Sequence, residues 1–303
     1  MPLEKDISES REFEMKTYLS SLKAMYENSV SQNSEIYQIA SDLTGDFSKI
    51  SPEAILEDSR IIKTLRYAIA PSISQMKFGQ FFGLNSIDKF ENNKVCPTTK
   101  KHGDLATIAD KIAEFATSNL DSSRFIWVNN NEEVGDLALA KEYARKWTCS
   151  IAADQNAQTR YRNWRKDQQE HAIAHELIRL GYVKSSFSGI ISKSTDVNIG
   201  EFTQELRVKG RTTQKADVIV RSKKDGKLVL IEAKAVGVEI DSTKRIKECC
   251  DKANDWGSSE DLDSPIIIAA IAGFFTIKGI SNLEASGIRV IWEHRLKDLE
   301  NIL

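Results

Sequence analysis

The stretch from residue 216 to residue 235 constrains the fold of this chain more than any other. Two apolar runs rich in β-branched residues flank a polar segment that contains Asp225-Gly226. This dipeptide predicts a β-hairpin with a two-residue turn, because such a turn needs positive φ at both central positions. A turn centred there places Asp217 opposite Lys234. Since side chains alternate between the two faces of a strand, Asp217, Glu232 and Lys234 are predicted to share one face.

Three charged side chains on one face of an apolar hairpin indicate a function, because a buried charge is costly unless it is paired or bound to a metal. The carboxylates of Asp217 and Glu232 are hard oxygen ligands of the kind that Mg²⁺ accepts. The ammonium group of Lys234 can orient an attacking water molecule or stabilise charge on a phosphate. The pattern predicts metal-assisted hydrolysis of a phosphodiester. A structural ion pair, or a surface hairpin with scattered charges, is the alternative that the hairpin alone leaves open.

The order of these residues resembles the signature of the PD-(D/E)xK nucleases. Asp217 is followed after 15 residues by Glu232-Ala233-Lys234, although Ala216 stands where the signature has proline. The bare motif occurs by chance in many chains. Here it lies on two apolar runs that flank a predicted turn, and this context strengthens the resemblance.

The segment after the hairpin extends this resemblance. Residues 241–248, with the sequence DSTKRIKE, and then Lys252 and Trp256 resemble the part of type II restriction endonucleases that follows the catalytic strand. The chain as a whole, most clearly between residues 150 and 300, is similar to the XamI-like group of these enzymes. The resemblance implies Mg²⁺-dependent, sequence-specific hydrolysis of double-stranded DNA. A symmetric DNA target would imply a homodimer with twofold symmetry.

The helix predicted before the hairpin offers a fourth catalytic candidate. Its apolar stripe includes Ile173 and Leu177, and Gly181 is a normal helix stop. Glu170 extends this inward-facing stripe at its N-terminal end. In nucleases of the resembled family an acid on this helix often contacts the metal or its water. The resemblance therefore implies this role for Glu170, with Glu176 in reserve. An exposed glutamate favoured by the helix dipole is the alternative.

Two histidines on the same helix, His171 and His175, have a spacing that can bind zinc. Arg179 occupies the position of the second histidine of an HExxH motif, and the sequence offers no third ligand. A zinc site is therefore not predicted.

Positive charge is concentrated in the middle of the chain. Residues 141–247 contain 22 Lys and Arg against 13 Asp and Glu, whereas the whole chain contains 42 and 44. A basic segment in an acidic chain is typical of a groove for a polyanion, because phosphate neutralisation drives much of DNA affinity. A solvated charged surface is the alternative. The candidate DNA-binding residues are Arg160, Arg162, Arg165, Lys166, Arg211, Lys215, Thr243, Lys244 and Arg245.

The order of predicted elements indicates an α/β fold with two subdomains. Residues 1–150 are predicted to be mostly helical, and to serve in packing, dimerisation or clamping of DNA. Residues 151–303 are predicted to form a PD-(D/E)xK catalytic domain, a mixed sheet flanked by helices. In the first part, helices are predicted over residues 12–26, from a Ser51 cap through Ala68, and over residues 104–116 and 132–147.

Composition places the protein among cytoplasmic globular proteins. Hydrophobic residues make up 41% of the chain, which supports a core, and the four cysteines form no CxxC pair. The longest apolar run, residues 266–275, is too short to span a membrane. The predicted function is thus a type II restriction endonuclease. A repair or junction nuclease on the same fold and a catalytically silent DNA-binding module are the alternatives.

Overall fold

A computed structural model describes residues 2–85, 87–94, 104–128 and 135–303. The α-helices within these residues are α1 (Pro2–Thr44), α2 (Pro52–Glu57), α3 (Ile61–Ala68), α4 (Gln75–Phe82), α5 (Asp88–Asn92), α6 (Ala109–Ser118), α7 (Leu137–Arg179), α8 (Glu239–Gly257) and α9 (Ile277–Ala285). The β-strands are β1 (Val183–Lys184), β2 (Glu201–Gln204), β3 (Arg207–Lys209), β4 (Thr213–Lys215), β5 (Val218–Arg221), β6 (Leu228–Val236), β7 (Ile266–Gly273) and β8 (Arg289–Trp292). Short 3₁₀ helices cover Leu105–Thr107, Ser194–Asp196, Glu260–Leu262 and Glu293–Asn301.

Six strands form one mixed sheet in the order β1-β2-β5-β6-β7-β8. Strands β2, β5 and β6 are antiparallel neighbours, whereas β6, β7 and β8 run parallel. The long apolar strands β6 and β7 lie at the centre, as continuous apolar runs do when both faces are covered. Strands β3 and β4 form a separate two-stranded sheet. The prediction of an α/β fold with a mixed sheet and helices is confirmed at this level.

Both faces of the six-stranded sheet are covered by helices. On one face, Trp256 of α8 and Leu283 of α9 pack in one core with Ile219 of β5. On the other face, Ile173 of α7 packs in a second core with Ile231 of β6. Alternate residues of each strand therefore enter opposite cores, as the two-residue period of a strand requires.

The register of the β5–β6 hairpin differs from the prediction. Val218 pairs with Ile231, whereas a turn centred on Asp225-Gly226 would pair it with Ala233. The strands are joined by a longer loop, in which Ser222 N donates to Lys227 O at 2.9 Å, and of the Asp-Gly pair only Gly226 has positive φ, at 71°. A shift of two residues keeps every side chain on its predicted face, because the period of a strand is two.

The described chain divides into two compact units, residues 1–21 with 161–303, and residues 22–160. The first unit contains the sheet. The start of α1 belongs to it through Ile7, which lies in the same core as Trp256 of α8, and through Ser10, whose hydroxyl accepts a hydrogen bond from Gly273 N at 2.8 Å. The predicted division at residue 150 and the observed boundary at residue 160 both fall within α7, and the roles of the two parts stay predictions.

The second unit is helical and has its own core. Ser51 caps α2 and Pro52 opens it, as predicted. The predicted continuous helix through Ala68 is instead two helices, because Asp58 leaves the helix and its carboxylate accepts a hydrogen bond from Arg60 N at 3.1 Å. The helix predicted from residue 132 is described from Leu137 and continues as α7; residues 132–134 lie outside the described ranges, as does Cys96.

Every helix in the described part of the chain is too short or too polar to cross a lipid bilayer.

Candidate active site

The three charged residues of the hairpin meet at one side of the sheet. Asp217 directly precedes β5, and Glu232 and Lys234 lie two residues apart on the facing strand β6. Nζ of Lys234 lies 2.7 Å from Oε2 of Glu232 and 3.4 Å from Oδ2 of Asp217. Glu232 is 1% exposed and Asp217 is 5% exposed. The alternating side chains of the strands thus bring two carboxylates and one ammonium group together in a buried place.

The backbone holds Asp217 at this point. Its Oδ2 accepts a hydrogen bond from Ala233 N at 2.9 Å, and its own carbonyl oxygen accepts one from Glu205 N at 3.0 Å. These bonds fix the carboxylate relative to β6 and fix the loop after β2 relative to Asp217.

Lys234 is charged at neutral pH. Burial lowers the pKa of its ammonium group, but the nearby charges of Glu232 and Asp217 outweigh burial, so the pKa lies above its ordinary value. A group that holds its proton this firmly is unsuited to act as a general base. It is suited to orient a water molecule or to stabilise a negatively charged phosphate.

A second lysine, Lys252 of α8, also contacts Glu232. Its Nζ lies 2.8 Å from both carboxylate oxygens of Glu232 and 2.6 Å from the carbonyl oxygen of Lys215. Sequence reasoning placed Lys252 in the segment that resembles restriction endonucleases but gave it no role. No local pattern marks Lys252, because its contact with Glu232 depends on how α8 packs on the sheet.

Glu170 lies on the inward face of α7, as predicted, with Ile173 and Leu177 fully buried beside it. Burial first, and then the charge of Asp217, raise the pKa of its carboxyl group. The reserve candidate, Glu176, instead pairs with Arg179 at 2.7 Å on a more exposed part of the helix.

A second group of carboxylates includes a residue that the sequence did not indicate. Oxygens of Glu170, Glu205 and Asp217 all lie within 4.8 Å of one another. Glu205 reaches this group from the loop after β2, where its backbone has a φ of 59°, a left-handed conformation that is uncommon outside glycine. Lysines surround the group: Lys166 Nζ lies 3.2 Å from Glu170 Oε1 and 3.1 Å from Glu205 Oε1, and Lys215 also pairs with Glu205.

This group fits a hard divalent cation. Its three donors are carboxylate oxygens, the ligand type that Mg²⁺ prefers. Within the described residues, the buried Oε1 of Glu170 is contacted by Lys166 at 3.2 Å, and the Lys166 side chain is about half exposed. Glu232 differs, because both of its oxygens are already contacted by lysine ammonium groups.

A second possible ligand group, Asp6, Glu9 and His294, fits a cation less well. Both oxygens of Asp6 accept hydrogen bonds from Arg295, at 2.9 and 3.1 Å. His171 and His175 belong to neither group and are exposed on α7.

Comparison with known proteins identifies the family. Residues 45–292 match the family model described as XamI restriction endonuclease. The chain belongs to the XamI restriction endonuclease family. It is also 27% identical over 269 residues to "Type II restriction enzyme SalI" of Streptomyces albus G, a match that covers 85% of this chain and 83% of that enzyme. The predicted function, a type II restriction endonuclease, is confirmed at the level of the family, which makes this protein a site-specific DNA hydrolase.

Likeness to solved structures is weak and carries no weight for the fold. "Crystal Structure of Protein of Unknown Function AF1548" is 18% identical and matches 43% of this chain and 59% of its own, with a TM-score of 0.29. "Crystal structure of protein VC1899 from Vibrio cholerae" is 10% identical and matches 90% of this chain and 55% of its own, with a TM-score of 0.29.

Most of the basic candidates for DNA contact are exposed on the restriction endonuclease. The exposed candidates are Arg160, Arg162, Lys166, Arg211, Lys215, Thr243, Lys244 and Arg245. Of these, Thr243, Lys244 and Arg245 lie within α8. Several of them contact other side chains of the protein, such as Gln32 for Arg160 and Glu248 for Arg245. Exposed contacts of this kind are weak, so they compete little with a DNA phosphate.

The burial of Arg165 is inconsistent with its predicted role in DNA contact. It is 3% exposed, and its guanidinium group is held between Glu14 and Glu293 with N···O distances of 2.6 to 3.0 Å. A buried guanidinium already paired with two carboxylates is not available to a DNA phosphate. Its partners lie 151 and 128 residues away in the chain, which is why local sequence gave no sign of them.

Proposed function

We propose that this restriction endonuclease is Mg²⁺-dependent, that it cleaves both strands of double-stranded DNA at a specific sequence, and that its sheet is a PD-(D/E)xK core. The observation that carries the proposal is the convergence of Asp217, Glu232 and Lys234 on one side of the β5–β6 hairpin, within 3.4 Å of the lysine ammonium. Members of such families are typically metal-dependent, and the buried carboxylates provide the ligands that this requires.

Asp217 is the central ligand in this proposal, because it belongs to both carboxylate groups of the site. Asp217 and Glu232 would hold the ion, as the signature implies, with a lysine ammonium group giving up its contact with one Glu232 oxygen when the ion binds, and Glu170 would complete the set from α7. A divalent ion bound there would lower the pKa of a water molecule and polarise the scissile phosphate. Glu205 lies in the same group and is an additional candidate ligand.

Lys234 would act on the reacting atoms themselves. Its raised pKa keeps the ammonium group charged while two carboxylates hold its position. A fixed positive charge can orient the attacking water by hydrogen bonding and can stabilise the additional negative charge that develops on the phosphate.

The exposed basic residues would hold the DNA in this proposal. Arg160, Arg162, Lys166, Arg211 and Lys215 would contact phosphates, while Thr243, Lys244 and Arg245 would reach the backbone or the groove. A twofold homodimer, with one site for each strand, would match a symmetric target sequence. Arg165 is excluded from this set by its burial.

Two substitutions test the site. Asp217→Ala and Lys234→Ala should abolish cleavage and leave the fold and much of the DNA binding intact, because both side chains act on the metal or the phosphate. The control is Lys278→Ala, an exposed lysine on α9. Cleavage is followed on a mixed-sequence plasmid, which a restriction enzyme cuts into discrete bands. Cleavage by either site variant would overturn the assignment, and structure-dependent nicking without discrete bands would point instead to a repair-type nuclease.

A further inference from the structure

Lys252 joins the two chain segments that carry the acidic residues of the hairpin. Its ammonium group has three acceptors: both oxygens of Glu232 at 2.8 Å and the carbonyl oxygen of Lys215 at 2.6 Å. Three acceptors use all three protons of an ammonium group. Lys215 ends strand β4, two residues before Asp217, so one side chain connects the approach to Asp217 with the carboxylate on β6.

The packing of helix α8 fixes the position of the Lys252 side chain. Cys249 and Ala253 are buried on either side of Lys252, and Trp256, one turn further on, is completely buried. The ammonium nitrogen lies 5.5 Å from the centre of the Trp256 ring, and the side chain as a whole is 20% exposed. Lys252 is therefore directed at Glu232 by packing, and only a small part of it is open to solvent or DNA.

The charges around Glu232 show what the second lysine provides. Lys234 is shared between Glu232 and Asp217, at 2.7 and 3.4 Å. With Lys252 present, two buried carboxylates face two ammonium groups. Without it, they would share one, and Glu232 would lose both of the bonds that fix the orientation of its carboxylate plane against α8.

We propose that Lys252 is a positioning residue for DNA cleavage, whose ammonium group fixes the carboxylate of Glu232 and, through it, the ammonium group of Lys234. The proposal rests on the proposed function of the hairpin. It assigns Lys252 no contact with the DNA, so its effect falls on the catalytic step and leaves substrate binding unchanged.

The test is Lys252→Met in the full-length enzyme, with Lys247→Met as the matched control. Lys247 lies on the same helix and is exposed. For Lys252→Met, kcat should fall by at least about tenfold while KM for DNA stays within about threefold, since positioning acts after binding. The DNA Kd measured by fluorescence anisotropy in EDTA should be unchanged. Lys247→Met should keep the wild-type kcat.

Three outcomes would overturn this role for Lys252. The first is a kcat within twofold of the wild type. The second is a defect confined to KM, and the third is a weakening of the Kd in EDTA as large as the loss in kcat. Either of these last two would make Lys252 a DNA contact. Asp217→Ala and Lys234→Ala separate this failure from that of the proposed function: both would retain cleavage only if the site itself were wrong. If Lys252→Met does not fold, Lys252→Gln keeps donor hydrogens without the charge, and the same criteria apply to it.

Discussion

The buried ion group formed by Glu14, Arg165 and Glu293 predicts a large loss of stability on Arg165→Met. The side chains of all three residues are at most 7% exposed, and Glu14 also accepts a hydrogen bond from Tyr161 at 2.8 Å. Removing one partner of a buried ion pair costs about 3–5 kcal/mol, because the other charge stays buried and unpaired. Since one guanidinium group here serves two carboxylates, we expect about 5 kcal/mol.

This loss can be measured as a change in unfolding. For a unit the size of residues 1–21 with 161–303, about 5 kcal/mol corresponds to a fall in Tm of about 10–20 °C. Urea unfolding followed by circular dichroism gives the free energy of unfolding directly. The matched control is Arg179→Met, which removes an exposed arginine that pairs with Glu176 on the same helix, and its effect should be small.

A third variant separates charge from packing. Replacing all three residues (Glu14→Leu, Arg165→Met and Glu293→Leu) should recover more than half of the loss, because an apolar group of similar volume leaves no buried charge unpaired. The reasoning would be refuted if Arg165→Met lost less than about 1 kcal/mol, the value of an exposed pair. It would also be refuted if the triple variant were no more stable than Arg165→Met alone.

Three further predictions follow from the site. EDTA should stop cleavage and Mg²⁺ should restore it; Mg²⁺ should also raise the Tm of the wild type but not of Asp217→Asn, because an ion bound only to the folded state stabilises it. Burial and the charge of Asp217 raise the pKa of Glu170 above 4.5. Between the pKa of the unfolded state and that of the folded state, the folded protein therefore holds a proton that the unfolded chain has released. The free energy of unfolding falls as the pH rises through this range. In EDTA, Glu170→Gln should therefore be more stable than the wild type near pH 7 by urea unfolding, and equal stability would contradict the burial argument. Burial raises the pKa of Cys249 to about 12, so iodoacetamide should modify half-buried Cys250 first, and mass spectrometry that finds Cys249 modified as fast in the folded protein would contradict this.

The sequence predicted the faces of the hairpin better than its pairing. The period of two along β5 and β6 put Asp217, Glu232 and Lys234 on one side, and the structure agrees. The predicted two-residue turn was wrong. The strands are joined by a longer loop, in which the Asp225 side chain accepts a hydrogen bond from Lys227 N at 3.1 Å. Turn geometry depends on such local bonds, whereas the face of a side chain depends only on the parity of its position.

Contacts between distant segments explain what the sequence missed. Glu170 was predicted to face inward because its spacing from Ile173 follows the helical period, and the structure places it on that face. Glu205 has no such pattern, since its carboxylate reaches the site from a loop residue with left-handed backbone. Lys252 lies in a segment with a family resemblance, but its contact with Glu232 depends on how α8 packs on the sheet. Local periodicity carries no information on such packing.

The attachment of the first 21 residues to the sheet-containing unit has a practical consequence. Ile7, Ser10 and Glu14 supply a core side chain, a hydrogen bond to Gly273 and a counter-charge for Arg165. A fragment beginning at residue 161 would lack all three, so expressed by itself it should be poorly stable, and a synthetic peptide of residues 1–21 should rescue it in trans. Such rescue would make the enzyme suitable for fragment complementation.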